Sequence, residues 1–270
     1  MTRLLVLGTS QAATLSLAPD LEGALPGVQT RFYALPGASW SRARLDEAGR
    51  LGPAPDDRIG RAKSVEWNGC AALDMAGTDH IAVCAPRFRL FFLARSLRER
   101  DIFGLPRTGA DHAISAGLLT AALADWVREE IAALRPRLPV GVPVSLLAVP
   151  YPLASDAPGA PQEDAALVRL RLRPAAARIE AIYEAVIAAE VAAAGWRWLA
   201  QPAATRAGPF ASADRFARPG AFDPARPDLR HMNADYAALA MAELGQSLPP
   251  APPVAGMPAR HPLPAAAGLA

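Results

Sequence analysis

Residues 4–11 read Leu4-Leu5-Val6-Leu7-Gly8-Thr9-Ser10-Gln11. Four apolar residues closed by a glycine are typical of a short strand that is buried on both faces of a sheet. The next segment, Ala12-Ala13-Thr14-Leu15-Ser16-Leu17-Ala18, predicts a helix. Ser10 would therefore lie where a central strand ends and a helix begins. Open α/β sheets bind their ligands at that edge.

Ser10 has two possible roles at this position. It could be the amino-terminal cap of the helix, a position that serine favours. It could also be a nucleophile, because the unpaired N–H groups and partial positive charge of a helix start favour a developing oxyanion. The stretch on its own leaves both roles open.

The composition of the chain limits the size of its fold and the kinds of partner that it can bind. It has 270 residues, of which 51% are apolar, enough for one large α/β domain or at most two small ones. Lys and Arg number 28 against 26 Asp and Glu, and the basic residues are scattered along the sequence. Because nucleic-acid binding needs a clustered basic surface, no nucleic-acid partner is predicted.

The sequence shows no targeting or membrane signal. The apolar run after Arg3 is too short for a signal peptide, and no window of about 18 apolar residues predicts membrane insertion. Cys70 and Cys84 lack metal-binding spacing, which is typical of thiols in a reducing compartment, so we expect a cytoplasmic protein. The Pro- and Ala-rich segment 248–270 predicts a disordered tail after one domain, 1–247. The oligomeric state stays open.

Strand and helix patterns alternate along the domain, which predicts a mostly parallel sheet covered on both faces. Three stretches are expected to be irregular or loops, and one more has no clear pattern but could form a lid or a substrate wall. Pro174 would either start a helix or kink a longer one. The predicted strands are 28–35, 79–85, 142–149 and 196–199; the predicted helices are 114–134, 179–191 and 233–244; the irregular stretches are 41–64, 154–164 and 201–230; the unclear one is 88–110. The first irregular stretch could hold a small hairpin around Gly49 to Pro53.

A second informative stretch precedes the last predicted helix, where two residues separate Asp228 from His231. A turn with this spacing can bring a carboxylate beside the imidazole, leaving the other ring nitrogen to take a proton from a hydroxyl. Serine needs such a base to act as a nucleophile at neutral pH. The alternative is a surface Asp–His pair near a helix start, and only folding can bring His231 to Ser10.

Together the two stretches resemble a known family, the SGNH (GDSL-like) hydrolases. The resemblance lies in Gly8-Thr9-Ser10 after the first strand and in Asp228-x-x-His231-x-Asn233-x-x-Tyr236 before the last helix. Pro36-Gly37 after the second strand is also similar to that family. The order of elements fits from residue 3 to about residue 245, and Thr9 stands at a position that varies across the wider family.

This resemblance implies a flavodoxin-like three-layer α/β/α sandwich with a mostly parallel sheet. It implies Ser10 as nucleophile, His231 as general base and then acid, and Asp228 as the partner of His231. The backbone N–H groups of Ser10 and Gly37 would be oxyanion donors. The implied reaction transfers an acyl group through an acyl-serine, without a cofactor. The substrate would be a small ester or an acylated carbohydrate, and the acceptor either water, as in an esterase or deacetylase, or a sugar hydroxyl, as in an O-acyltransferase.

The sequence departs from the family in the third block, Gly-x-Asn-Asp. Residues 82–88 read Ala-Val-Cys-Ala-Pro-Arg-Phe instead. The family's asparagine is an oxyanion donor, and losing one such donor typically costs about 10²–10³ in rate. Arg87 is a candidate substitute. The alternative is a non-catalytic member of the same fold that binds a carbohydrate or serves as a scaffold.

Three other residues are candidates for substrate contact. They are Gln11 beside Ser10, Asn233 in the tail pattern, and Gln201 at the end of the last predicted strand. The four histidines are scattered, with no His-x-x-x-His or carboxylate cluster, so no metal site is predicted.

Overall fold

The computed structural model describes residues 1–84, 88–155, 162–223 and 228–249. Its strands are β1 (Thr2–Gly8), β2 (Val28–Ala34), β3 (Arg44–Leu45), β4 (Arg50–Gly52), β5 (Leu73–Asp74), β6 (His80–Cys84), β7 (Arg100–Ile102), β8 (His112–Ile114), β9 (Val144–Leu147), β10 (Arg197–Leu199), β11 (Arg206–Gly208) and β12 (Ala211–Ser212). Its α-helices are α1 (Ser10–Leu15), α2 (Leu21–Ala24), α3 (Gly37–Arg42), α4 (Arg58–Asn68), α5 (Leu90–Ser96), α6 (Ala116–Leu134), α7 (Gln162–Arg171), α8 (Ala176–Ala193) and α9 (Ala234–Ser247). Short 3₁₀ turns lie at Arg135–Arg137, Ala203–Thr205 and Asp214–Phe216.

The central sheet has five strands in the order β2-β1-β6-β9-β10. Every neighbouring pair in it is parallel. Counted along the chain, this is the order 2-1-3-4-5 of flavodoxin-like sheets, in which ligands bind where the strand order reverses, between the first and third strands. The predicted mostly parallel α/β fold is confirmed.

The apolar run of β1 explains how three layers form around this sheet. Successive side chains of a strand point to opposite faces, so Leu4 and Val6 enter one hydrophobic core while Leu5 and Leu7 enter another. The first core lies against α1 and α9, and the second against α5, α6, α7 and α8. Burial on both faces is therefore why this run does not alternate with polar residues.

The prediction for residues 41–64 was only partly right, because the stretch holds the small hairpin, formed by β3 and β4, but also the start of a helix. The helix α4 runs from Arg58 to Asn68, and β3, β4 and β5 form a small antiparallel sheet. The Asp57 carboxylate accepts a hydrogen bond from the N–H of Gly60, and Gly69 closes the helix in the left-handed conformation. Both caps are visible in the sequence, but α4 is too polar to show an apolar stripe.

The other local predictions need smaller corrections. Pro174 neither starts nor kinks a helix: it lies in the break between α7, which ends at Arg171, and α8, which begins at Ala176. The predicted loop 201–230 contains two short antiparallel strands, β11 and β12. Most of the predicted tail lies outside the described residues.

The outer edge of β2 is covered by a side chain. The Oδ1 atom of Asn68 accepts a hydrogen bond from the N–H of Ala34, and its Nδ2 atom donates one to the carbonyl of Ala34, both at 2.9 Å. This amide takes the place of a neighbouring strand and fixes the end of β2 just before Pro36-Gly37.

The segment from Phe88 to Ile114 forms a wall that packs against the core, and the lid predicted as its alternative role stays a prediction. Phe88, Leu93 and Leu97 are buried in the core, and β7 pairs with β8 in parallel. The carboxylate of Asp101 accepts hydrogen bonds from the N–H groups of three successive residues, 108–110.

No helix among the described residues is long and apolar enough to cross a membrane.

Candidate active site

Ser10 lies at the point where the strand order of the sheet reverses. The strand β1 ends at Gly8, Thr9 occupies the cap position, and Ser10 is the first residue of α1. Ser10 is therefore not the cap that it could have been. Its half-buried hydroxyl lies at the carboxyl edge of the sheet, beside the end of β6.

Only glycine fits directly before this turn. A Cβ atom placed on Gly8 would lie 2.3 Å from the carbonyl oxygen of Cys84 on β6. Real carbon and oxygen atoms do not approach so closely, so any side chain here would push β1 and β6 apart. The close approach of the two backbones thus sets where Ser10 emerges from the sheet.

The Ser10 hydroxyl meets His231, although 221 residues separate them in sequence. The Nε2 atom of His231 lies 2.7 Å from Oγ of Ser10, within hydrogen-bond distance. The Nδ1 atom of the same ring lies 2.8 Å from Oδ2 and 3.0 Å from Oδ1 of Asp228. The serine hydroxyl, the imidazole and the carboxylate form one hydrogen-bonded line, the arrangement that an activated nucleophile requires.

The local turn explains why the Asp-x-x-His spacing works. Oδ1 of Asp228 accepts hydrogen bonds from the N–H groups of Arg230 and His231, both at 3.2 Å. These bonds fold the chain back over the carboxylate, which brings the ring of His231 beside it. The side chain of Asp228 thus has two roles. It forms the turn by accepting bonds from the backbone two and three residues onward, and it contacts the imidazole ring of His231.

Backbone contacts hold this turn against the segment before it. The N–H of Asp228 donates to the carbonyl of Ala221 at 2.8 Å, and the N–H of Asn233 donates to that of Phe216, also at 2.8 Å. Across the molecule, the N–H of Leu153 donates to the carbonyl of Leu229 at 2.9 Å. The loop that carries His231 is therefore attached on both sides.

Arg218 was not among the predicted site residues, but its Nε atom lies 2.9 Å from Oδ2 of Asp228. Partial burial acts to raise the pKa of Asp228. The hydrogen bond and charge of His231, the N–H of Arg230 and the cation of Arg218 outweigh it and hold that pKa below its usual value. Asp228 is thus kept charged behind the imidazole, while Arg218 competes for the same oxygen.

Gln11 uses its amide nitrogen inside the protein, and the substrate contact predicted for it stays a prediction. Its side chain is buried, and its Nε2 atom donates a hydrogen bond to the carbonyl of Arg230 at 2.9 Å. This bond joins the helix of the nucleophile to the loop of the base. Gln11 therefore positions the two halves of the site relative to each other.

The side-chain amides of Gln201 and Asn233 also form hydrogen bonds with other groups of the protein. Gln201 is buried, accepts from the N–H of Tyr151 and donates to the hydroxyls of Thr205 and Ser212. Asn233 caps α9 through the N–H of Tyr236 and donates to the carbonyl of Arg215. These bonds engage both amides within the protein, and the substrate contacts predicted for Gln201 and Asn233 stay predictions.

Gly37 remains suited to the predicted oxyanion role, whereas Arg87 lies outside the described residues. Gly37 is exposed at the first position of α3, and a Cβ atom added there would meet nothing within 4 Å. The N–H of Leu35 donates to the carbonyl of Gly8 at 2.9 Å, which ties the two strand ends together. First-turn N–H groups have no acceptor within their own helix.

An aromatic contact, which the sequence did not reveal, lies beside His231. The guanidinium carbon of Arg230 lies 4.7 Å from the ring centroid of Phe91 on α5, in cation–π geometry. The wall formed by α5 thus touches the loop of the base directly. No group of three or more His, Cys, Asp or Glu side chains that could hold a metal occurs within the described ranges.

Comparisons with known proteins give structural likeness only. No protein-family model and no curated protein matches the sequence. An extracellular lipase from Streptomyces rimosus is similar in structure, with a TM-score of 0.41 and 13% identity over 92% of this chain and 99% of that chain. A GDSL-like lipase from Bacteroides thetaiotaomicron gives 0.38 and 11%, over 91% and 86%. A DUF4886 family protein from Bacteroides uniformis gives 0.38 and 12%, over 89% and 80%.

Proposed function

We propose that this protein is a serine-dependent acyl hydrolase of the SGNH type, acting on a small ester or an acylated carbohydrate. The observation that carries the proposal is the line from Ser10 Oγ through His231 to Asp228, with separations of 2.7 and 2.8 Å. A nucleophile, a base within hydrogen-bond reach and a third group that orients the base are the requirements of nucleophilic acyl transfer.

In this mechanism Ser10 Oγ attacks the ester carbonyl carbon while Nε2 of His231 takes the hydroxyl proton. Asp228 stabilises the imidazolium that forms. The carbonyl oxygen becomes an oxyanion, which the N–H groups of Ser10 and Gly37 would face. When the carbon–oxygen bond of the ester breaks, His231 gives its proton to the leaving alcohol. Water, or the hydroxyl of an acceptor sugar, then attacks the acyl-serine by the same route in reverse.

The chain lacks the asparagine of the family's third block, and this absence lowers the turnover rate that we expect. With two backbone donors and no asparagine amide, we expect a rate about 10²–10³ below that of a complete oxyanion hole. The same absence is the observation that favours the second candidate, a non-catalytic protein of this fold that binds an acylated carbohydrate.

Labelling with a fluorophosphonate tests the proposal, because the reagent forms a covalent bond only with an activated serine. We expect wild type to be labelled, and Ser10→Ala and His231→Ala to remain unlabelled. Ester turnover of these variants should fall by about 10⁴-fold or more. The matched control is Ser16→Ala, which removes an exposed hydroxyl at the other end of α1 and should label like wild type. Folded wild type that neither labels nor cleaves acyl esters would contradict the hydrolase and favour the binding protein.

A further inference from the structure

A network of buried polar side chains lies around Gln201, just beyond the end of β10. The Oε1 atom of Gln201 accepts a hydrogen bond from the N–H of Tyr151 at 2.8 Å. Its Nε2 atom donates to the hydroxyls of Thr205 and Ser212, both at 2.9 Å. The proposed mechanism uses none of these side chains, although all of them lie in the interior where polar groups are costly.

The direction of every hydrogen bond in this network is fixed. A backbone N–H can only donate, so the oxygen of the Gln201 amide must face Tyr151 and its nitrogen must face the two hydroxyls. The hydroxyl of Thr205 donates its own proton to the carbonyl of Pro202 at 2.7 Å, and that of Ser212 donates to the carbonyl of Tyr151 at 2.6 Å. Each hydroxyl is therefore free to accept from the amide. A buried network that is satisfied in this way favours a single arrangement of the segments that it joins.

The segment that this network holds, residues 151–154, follows β9. Besides the bonds at Tyr151, the backbone of Ser212 donates to the carbonyl of Pro152 at 2.9 Å and accepts from the N–H of Ala154 at 2.8 Å. Both ends of the segment are thus joined to β12. Because hydrogen bonds are directional, these contacts fix the position of the segment more narrowly than apolar packing does.

The N–H of Leu153, in the middle of this segment, is the link to the loop of His231. It donates to the carbonyl of Leu229 at 2.9 Å, and both leucine side chains are buried in the core against α1 and α9. Leu229 lies two residues before the imidazole. The next carbonyl, that of Arg230, accepts from Gln11 on α1. Two successive carbonyls of the loop are therefore held by donors from two different parts of the fold.

We propose that Gln201 is a positioning residue for the base: it holds His231 at Ser10 by fixing segment 151–154, whose Leu153 holds the loop. Without this amide the segment and the loop would shift, and the distance between Nε2 of His231 and Oγ of Ser10 would vary more. Proton transfer is sensitive to that distance. The inference rests on the proposed acyl hydrolase function and adds to it a residue that acts through others.

The first experiment measures fluorophosphonate labelling at several reagent concentrations, which separates reagent binding from the chemical step. Gln201→Leu replaces the side chain by an apolar one of similar size and removes its three hydrogen bonds. We expect the rate constant at saturating reagent to fall by about ten-fold or more, while the half-saturating concentration changes by less than about two-fold. Ser212→Ala, which leaves the bond between Gln201 and Tyr151, should lower the same rate constant by about three-fold or more.

Ser145→Ala is the matched control for Ser212→Ala. Both serines are 0% exposed, and the hydroxyl of Ser145 lies 2.9 Å from Nε2 of His80, towards the opposite edge of the sheet. The control should lose melting temperature much as Ser212→Ala does, yet label like wild type. Labelling that slows in both serine variants alike would overturn the proposal, as would a folded Gln201→Leu that labels at the wild-type rate. If Gln201→Leu does not fold, Ser212→Ala and its control decide the test.

Hydrogen exchange followed by NMR tests the link without any turnover. In Gln201→Leu, exchange should become about ten-fold faster or more at the N–H of Leu153 and in the loop 228–231, and stay unchanged in β1. Faster exchange at Leu153 alone would overturn the link to the loop. If exchange shows the expected pattern but wild type never labels, the hydrolase proposal fails while the structural link between Gln201 and the loop of His231 stands.

Discussion

Gln11 shows how one buried amide can determine whether two distant segments form a site. Its donor reaches the carbonyl of Arg230, the residue before the base, and no surface water competes for the bond because the side chain is 3% exposed. A shift of His231 by less than an ångström would lengthen its contact with Ser10. Geometry of this kind changes rates strongly, because proton transfer depends on the distance between donor and acceptor.

Gln11→Ala should lower the rate constant of fluorophosphonate labelling by about ten-fold, because small misplacements of the base are costly. It should also lower the free energy of unfolding by about 1–3 kcal/mol, since the Arg230 carbonyl loses a buried partner. Labelling kinetics at saturating reagent and urea unfolding measure the two effects. Gln29→Ala, on an exposed part of β2, is the control and should change neither. A stability loss with unchanged labelling kinetics would show that Gln11 has no positioning role.

Arg218→Gln should raise the pKa of Asp228 towards its usual value, because one of the charges that lower it is removed. A depressed folded-state pKa means that the carboxylate stabilises the fold at pH above its unfolded value, and that this stability is lost as pH falls through the folded pKa. In the variant this loss moves to higher pH. Carbon-13 NMR titration of the Asp228 carboxyl measures the shift. Arg215→Gln, a nearby arginine that bonds to Ala204 instead, should leave the titration unchanged.

At the residue scale, the sequence indicated which side chains could carry chemistry more clearly than it indicated which groups those side chains contact. Ser10, His231 and Asp228 could be selected because their chemistry and spacing belong together, and the structure brings them into contact, although their catalytic roles stay predictions. Gln11 and Gln201 were placed correctly near the sheet edge, but the protein groups that their amides contact were not foreseen. Their partners lie as far as 219 residues away, and nothing in a single sequence reveals such a pairing.

At the scale of elements, the wall beside the site depends on one carboxylate. Asp101 is buried, accepts from the backbone of residues 108–110 and lies 2.6 Å from Nη2 of Arg173. The N–H of Thr108, followed by its hydroxyl and the neighbouring N–H groups, lowers the pKa of Asp101 to about 2. The charged carboxylate thus closes the turn between β7 and β8.

Asp101→Asn should destabilise the protein near neutral pH, because the ion pair with Arg173 and the charged hydrogen bonds are lost. The contribution of a lowered pKa is complete above the unfolded value near 4 and disappears as pH falls to about 2. The difference in unfolding free energy between wild type and variant should therefore shrink steadily from pH 5 to pH 2. Urea unfolding across that range provides the test, and a difference independent of pH would refute the assignment.

Gly8→Ala should reduce the free energy of unfolding by about 2–4 kcal/mol, in the range of severe core strain, because the new Cβ meets the Cys84 backbone. The same displacement would move Ser10, so labelling should slow as well. The matched control is Gly117→Ala on α6, where the nearest atom lies 3.9 Å away and helix propensity favours alanine by about 1 kcal/mol. Equal unfolding free energies for Gly8→Ala and wild type would contradict the close approach of β1 and β6.

Elements with a strong apolar period were predictable, and those held by caps were not. The helices α6 and α8 bury a stripe of side chains three and four residues apart, so their sequences show the period directly. The helix α4 buries only Gly60 and Ser64, and its termini are fixed by Asp57 and Gly69. A helix of this kind needs its tertiary neighbours and its caps, which a search for periodicity overlooks.

At the scale of the whole molecule, alternation of strands and helices was enough to predict a parallel α/β sheet. The strand order 2-1-3-4-5 follows from right-handed crossovers on both faces, which the alternation alone does not specify. The basic residues were described as scattered, yet Arg95, Arg98 and Arg100 lie within six residues of one another in the sequence, and the packing of α5 against α7 brings Arg169 beside them around one cavity.

A chain that ends after Pro249 should fold and label like the full chain. The last described contact of α9 is the carbonyl of Ser247, which accepts from Arg197 at the start of β10. We therefore expect the melting temperature to change by less than about 2 °C, well under the shift from one lost core contact. Differential scanning calorimetry of both chains measures it. A truncated chain that melts several degrees lower would show that residues 250–270 belong to the folded domain.

The separation of Ser10 from His231 has a consequence for biosynthesis. A ribosome that has just made Ser10 must add 221 more residues before the base exists, which takes on the order of ten to forty seconds at ordinary elongation rates. Until then Ser10 lacks the imidazole that the proposed mechanism requires, so under that mechanism a nascent chain does not attack esters. Reactivity towards a serine reagent therefore marks translation that has passed residue 231 and a chain that has closed on itself.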